Sequence, residues 1–262
     1  MERFQTILFP VDFSERCLAV SPAVAAYARQ FRARVTLLHV LNLPPGAYQD
    51  WYAYLNLVDR QSVQAEVERN LHRFLVEQFA GVEVRRELAD GDPAAAIVKY
   101  VHDEGADLVM MPTRGHGRFR ARLLGSVTAK VLHDTHVPVW TEAHAEEAAV
   151  PLEVKSILCA VDMTPRSIGL LKLAFGLAAD FGARCHAIFA DEDGTQASAA
   201  RAEEVFARYA TDAGIEAGLE VVAGSLSEAA PGAAAERGAD LLVAGRGGYD
   251  SVRSAGCPVL SV

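Results

Sequence analysis

The chain has 262 residues, 51% of them apolar, enough for one large or two small units that each bury a core. Its formal charge of −9 argues against nucleic-acid and membrane-surface partners, because a polyanion calls for clustered Lys and Arg. No apolar run is long enough to span a bilayer and Met1-Glu2-Arg3-Phe4-Gln5 has no signal-peptide pattern, so a cytoplasmic protein is expected.

Taken along the chain, residues 6–11 read as a buried strand ending on Pro10-Val11-Asp12, after which Ser14 caps a helix. Cys17 lies in that helix. It and Cys159, Cys185 and Cys257 are far apart with no CxxC pair, so buried free thiols are expected, not disulfides or a cysteine zinc site. Residues 34–40 form the next strand. Pro44-Pro45 and the aromatic segment Tyr48-Gln49-Asp50-Trp51-Tyr52-Ala53-Tyr54 then suggest a lid, a partner surface or a packing face for the second half. Val63, Val67, Leu71, Phe74 and Phe79 recur at a helical period and predict a helix ending near Phe79. Strand 83–89 follows, Asp92-Pro93 opens another helix, and 108–112 and 137–141 complete five strands. The Ala- and Glu-rich stretch from Ala143 to Glu153 reads as a linker, dividing the chain into domains 1–147 and 151–262.

The pattern then repeats. Phe4-Gln5-Thr6-Ile7-Leu8-Phe9-Pro10-Val11-Asp12 aligns with Val154-Lys155-Ser156-Ile157-Leu158-Cys159-Ala160-Val161-Asp162 at an offset of 150. The offset falls to 133 where Gly105-Ala106-Asp107-Leu108 meets Gly238-Ala239-Asp240-Leu241, and to 120 where Val137-Pro138-Val139 meets Cys257-Pro258-Val259. The second copy therefore lacks 17 residues before its second helix and 13 before its last strand. Its strands are expected at 156–161, 184–190, 216–222, 240–244 and 259–262, with a helix starting at Thr164-Pro165. Apolar runs alternating with helical patterns imply an α/β fold: two similar domains, each a five-stranded, mainly parallel, Rossmann-like sheet flanked by helices, the second shortened. Ligands of such sheets sit beyond the carboxyl ends of the strands, which directs attention to the loops after the first and fourth strands.

The loop after the fourth strand begins Pro112-Thr113-Arg114-Gly115-His116-Gly117 and leads to Gly125-Ser126-Val127, the start of a helix through His133. Gly115 and Gly117 permit close backbone approach, and a helix start offers free amides and a positive dipole end to a phosphate. Arg114, Arg118, Arg120 and Arg122 raise the local potential, and His116 stands where it could touch phosphate. Asp12, at the edge of the first strand, could accept from a ribose hydroxyl or an adenine amine. A helix cap for Asp12 and a plain turn for the glycines are the competing readings. His133, His136 and His144 lack acidic or cysteine companions at a metal-ligand spacing, so no metal is expected.

The Val11-Asp12-Phe13-Ser14 edge, the Gly-Ala-Asp-Leu-Val run and the spacing from Gly115 over nine residues to Gly125-Ser126 resemble the universal stress protein family, in tandem form over both halves. That family shares the fold of adenine-nucleotide alpha hydrolases, and its ATP-binding members carry Gly-x-x-Gly, nine residues, then Gly-Ser or Gly-Thr. Here Pro112 replaces the first glycine and has no amide hydrogen to donate. The resemblance implies ATP, with Mg²⁺ as a companion ion, as the adenine nucleotide bound. Pro10, Val11, Val40 and Met111 would form the base pocket, Asp12 would hold the ribose or adenine, and Gly115, Gly125, Ser126 and Val127 the phosphates. In the second copy only nine residues separate Gly248 from Pro258, too few for both a spacer and a Gly-Ser helix start, so no second ATP site is expected. The family's last-strand dimerisation implies that 137–140 and 259–262 pair within the chain as an internal pseudo-dimer, with a homodimer as a further assembly. A stress-response or signalling binding module is the leading function. A slow ATPase or adenylate-handling enzyme, and a structural pseudo-dimer without ligand, are the alternatives; no Walker-type Lys follows the glycines.

Overall fold

Short apolar strands can bury both faces only between two helical layers, and the computed structural model of this chain is built that way. It describes residues 4–42, 60–114, 124–143, 152–162, 165–190, 196–215, 217–222, 224–246 and 249–262. The first half runs β1 (Thr6–Pro10), α1 (Glu15–Phe31), β2 (Arg34–Leu41), α2 (Arg60–Arg73), β3 (Val84–Asp90), α3 (Pro93–Glu104), β4 (Leu108–Pro112), α4 (Ser126–Asp134) and β5 (Val139–Glu142). The second runs β6 (Ser156–Val161), α5 (Pro165–Phe181), β7 (Arg184–Ala190), α6 (Gln196–Ala213), β8 (Ala217–Val222), α7 (Leu226–Glu236), β9 (Leu241–Ala244), α8 (Tyr249–Ser254) and β10 (Val259–Ser261).

The strands form one sheet ordered β3-β2-β1-β4-β5-β10-β9-β6-β7-β8. Every pairing is parallel except β5 with β10. There Val139, Trp140 and Thr141 face Ser261, Leu260 and Val259. Trp140 and Leu260 occupy the same position of the repeat, so the two halves meet symmetrically about that pair. Helices α1 and α5 meet on the same axis. Phe31 and Phe181, again equivalent positions, pack edge to face at 5.4 Å, and the Gln30 side chain donates to the Asp180 carbonyl. Tyr27 adds ring contacts to Phe181 and to the fully buried Trp140.

Two cores result. On one face of the sheet α1, α2, α5 and α6 pack through residues such as Val20, Val24, Leu71, Leu171, Phe175 and Phe206. On the other face α3, α4, α7 and α8 pack through Ile97, Val101, Leu132, Ala234 and Val252. The repeated Gly-Ala-Asp-Leu run is a junction: Gly105 (φ 70°) and Gly238 (φ 56°) turn the chain out of the preceding helix in the left-handed region. Asp107 then accepts from the amides of Gln5 and Thr6, and Asp240 from those of Lys155 and Ser156, closing the starts of β1 and β6. Helix α2 stops at Arg73, short of the expected end near Phe79, because Leu75 turns left-handed (φ 58°). Leu71, Leu75 and Phe79 are nevertheless buried, so the apolar stripe continues through a turn. Among the described residues no helix is long and apolar enough to cross a membrane.

All four cysteines are free and buried. Burial pushes the thiols of Cys17, Cys185 and Cys257 up to about 12 from 9.0, raises Cys159 strongly, and raises the Tyr27 hydroxyl. These groups favour the fold in their neutral forms. Their stabilisation is complete below pH 9, where the unfolded thiols begin to ionise, and is lost as pH climbs towards 12. Each thiol near 12 then costs on the order of 2 kcal/mol by pH 11. Urea unfolding should show the midpoint falling steeply from pH 9 to 11; a constant midpoint would contradict this burial.

Candidate functional site

In the first half the strand order reverses between β1 and β4, with the helix after β1 on one face of the sheet and the helix after β4 on the other. The crevice beyond these two strand ends is where such sheets receive ligands.

Beyond β1, the Val11 amide donates to the Leu38 carbonyl, and the Val11 carbonyl accepts from His39 Nδ1 at 2.8 Å, which assigns that ring nitrogen its proton. Phe13 adopts a left-handed conformation (φ 62°) that costs a non-glycine residue about 1 kcal/mol. It is held there by stacking on His39 (4.5 Å between centroids) and by an edge contact with Phe74. The turn so made brings the Ser14 amide onto Asp12 Oδ1 at 3.0 Å, while the Ser14 side chain caps α1 at the Cys17 amide. Cys17 Sγ donates to the same carboxylate oxygen at 3.2 Å. Burial, then the Asp12 charge, keeps that thiol protonated, so it remains a donor at neutral pH. The second half repeats the device with a different residue: Ser167, at the position of Cys17, donates to Asp162 Oδ1.

Beyond β4, Pro112 is buried, and its carbonyl accepts from the Thr128 hydroxyl at 3.2 Å. Thr113 bonds the Glu142 carbonyl through both amide and hydroxyl. Its own carbonyl accepts from the Gly125 amide at 2.9 Å. A Cβ on Gly125 would lie 3.1 Å from that carbonyl oxygen, a tight contact that glycine avoids. Gly125 precedes α4 without a side-chain cap. The opening amides of α4 and its positive dipole end are thus presented to an anion beside the sheet edge, with Ser126 exposed. Lys130 reaches Asp92, the cap of α3, at 3.2 Å, fastening α4 to its neighbour.

Of the residues expected at a ligand, Met111 belongs to the second core, and Val40 and Val127 are half-buried against that core, all on the α4 face of the sheet. The Val11 side chain lies in the first core instead, on the opposite face. Pro10 and Asp12 are half-buried at the edge between. Gly115, His116 and Gly117, the arginines 118, 120 and 122, the aromatic segment 48–54 and His144 lie outside the described residues. Cys17 escaped the sequence reading, although its match with Ser167 at the repeat offset was there to be seen. Phe13 and His39 carried no local signal.

In the second half a helix still follows the fourth strand: α8 occupies six of the nine residues between Gly248 and Pro258. The shortening removed the spacer and kept the helix, whose Val252 packs in the second core. At six residues α8 is too short to be an anion site by itself.

Gly125→Ala should destabilise the chain by about 1 kcal/mol, through loss of the glycine cap and crowding of Thr113. Gly169→Ala, inside α5 with nothing within 4 Å of the added methyl, should stabilise it by about 0.5–1 kcal/mol. Urea unfolding of both reads the signs; equal effects would contradict the close approach at Gly125.

The universal stress protein family model matches residues 3–141 and 153–261. Universal stress protein MJ0577 of Methanocaldococcus jannaschii is 31% identical over 151 residues, covering 52% of this chain and 93% of that protein. Universal stress protein Slr1230 of Synechocystis is 44% identical over 148 residues, covering 53% of this chain and 44% of that protein. The crystal structure of a universal stress protein from Archaeoglobus fulgidus has the same fold over 98% of this chain and 97% of its own, with a TM-score of 0.78 at 22% identity. Matched twice along its length, the chain belongs to the universal stress protein family and carries two copies of its α/β, Rossmann-like domain.

Proposed function

We propose that this chain is an adenine-nucleotide-binding module of stress response or signalling. It holds one ATP in its first domain, residues 1–147, and none in its second, residues 151–262, and the two domains act as an internal pseudo-dimer. The observation that carries the reading is the start of α4 at Gly125, which has no side-chain cap, so that no cap residue's side chain takes up the opening amides of the helix. That helix follows β4, which pairs with β1, the strand that leads to Asp12.

In this reading the amides from Ser126 onward, together with the glycine stretch 115–117, receive the phosphates, and the arginines flanking that stretch, 114, 118, 120 and 122, add attraction. Asp12 accepts from a ribose hydroxyl, oriented by Ser14 and Cys17. Val40, Met111 and Val127 give the base an apolar wall. Pro112 costs the phosphates one amide donor, and Thr128 uses its carbonyl to fix the start of α4 instead. A magnesium ion would be carried mainly by phosphate oxygens and water, since no group of three His, Cys, Asp or Glu side chains clusters among the described residues.

Titration calorimetry of the nucleotide-stripped chain with ATP should give one site per chain. Asp12→Ala should weaken it about tenfold or more, the worth of a charge-assisted hydrogen bond. Cys17→Val should weaken it by a smaller factor, and Cys17→Ser, which restores a donor as Ser167 does in the second half, should not. Two equivalent sites, or no heat at all, would overturn the reading. A steady phosphate release lost in Asp12→Ala would replace a binding module by an ATPase.

A further inference from the structure

Arg246 follows Gly245 in the loop after β9, at the repeat position of Thr113 in the first half. Its side chain reaches into the first half. Its guanidinium donates to the carbonyl of Leu132 at 3.4 Å, to Thr135 Oγ1 at 3.3 Å and to the carbonyl of Val137 at 2.5 Å. Leu132 lies in the last turn of α4, and Thr135 and Val137 lie in the short link to β5. A helix leaves its final carbonyls without intrahelical donors, and a cation there complements the negative dipole end.

Helix α4 has nine residues and is about 13 Å long, too short to hold its shape or position alone. Its placement comes from contacts at its two ends. The first half fastens the beginning, through Gly125 to Thr113, Thr128 to Pro112 and Lys130 to Asp92. At the other end, Arg246 adds donors from the second half. Thr113, Arg246's counterpart, spends its amide and hydroxyl on Glu142 within its own half.

We infer that Arg246 is a positioning residue for the nucleotide site, by which the second half's glycine loop, instead of cradling a phosphate, braces the phosphate-facing helix of the first half. The inference rests on the nucleotide reading proposed above. It predicts an effect confined to the part of the ligand that meets the start of α4. Adenosine, which lacks phosphates, should feel little of it.

The test compares ATP and adenosine affinities of the full chain with Arg246, Arg246→Ala and Arg246→Lys, each checked for native circular dichroism. Arg246→Ala should lower ATP affinity on the order of fivefold, as for a modest coupling between sites, and leave adenosine affinity nearly unchanged. Arg246→Lys, which keeps the charge but not the three-pronged reach, should fall between. An unchanged ratio of ATP to adenosine affinity in a folded Arg246→Ala chain would overturn the inference while leaving the nucleotide reading intact. So would a uniform weakening of both ligands, the mark of general destabilisation. Failure of the unsubstituted chain to bind ATP would sink the nucleotide reading, and this inference with it.

Discussion

Three residues of β5 pair antiparallel with three of β10, and the relation between the two halves hangs on that ladder. Each half alone would end its sheet on a short apolar strand with unpaired amides and carbonyls, a template for unwanted pairing. Joined, the two edges vanish into one ten-stranded sheet. The strands left at the margins, β3 and β8, are half-exposed and carry charges such as Arg85, Glu87 and Glu220, which suit an edge. Because Trp140 faces its own repeat equivalent, Leu260, the contact has the self-complementary logic of a two-fold interface.

Divergence is visible in what each half does with the same parts. Both keep an aspartate at the end of the first strand, locked by a donor five residues on, Cys17 in one and Ser167 in the other. That lock is local architecture, since it survives in a half whose fourth loop has lost its spacer. What separates the halves is the segment between the fourth strand and the following helix. In the first it ends on Gly125, pressed against Thr113, and opens a nine-residue helix. In the second it is cut down to a six-residue helix close behind Gly245-Arg246, and the arginine reaches across the ladder to α4.

Much of this was legible from local rules. Apolar runs placed all ten strands to within a few residues, Asp92-Pro93 opened α3 as expected, and Gly125-Ser126 opened α4. Such features depend on neighbours a few residues away. The parts that escaped depend on distant ones. The end of α2 at Arg73 follows from a left-handed Leu75, which no glycine or proline announced. The left-handed Phe13 is stabilised by His39 and Phe74 from other elements. Val11 looked like a pocket residue from its place in the chain, yet the alternation of the strand sends its side chain to the opposite core from Val40 and Met111. Helix α8 was hidden because residue counting cannot tell a deleted spacer from a deleted helix.

The two sites of a tandem protein can be told apart directly by amide hydrogen exchange of the full chain with and without saturating ATP. Slowed exchange is expected at the opening amides of α4, from Ser126 to Thr128, and at the turn from Asp12 to Ser14, with α8 and the loop before it unchanged. Protection at residues 245–254, or none at either place, would contradict a single nucleotide site built on the start of α4.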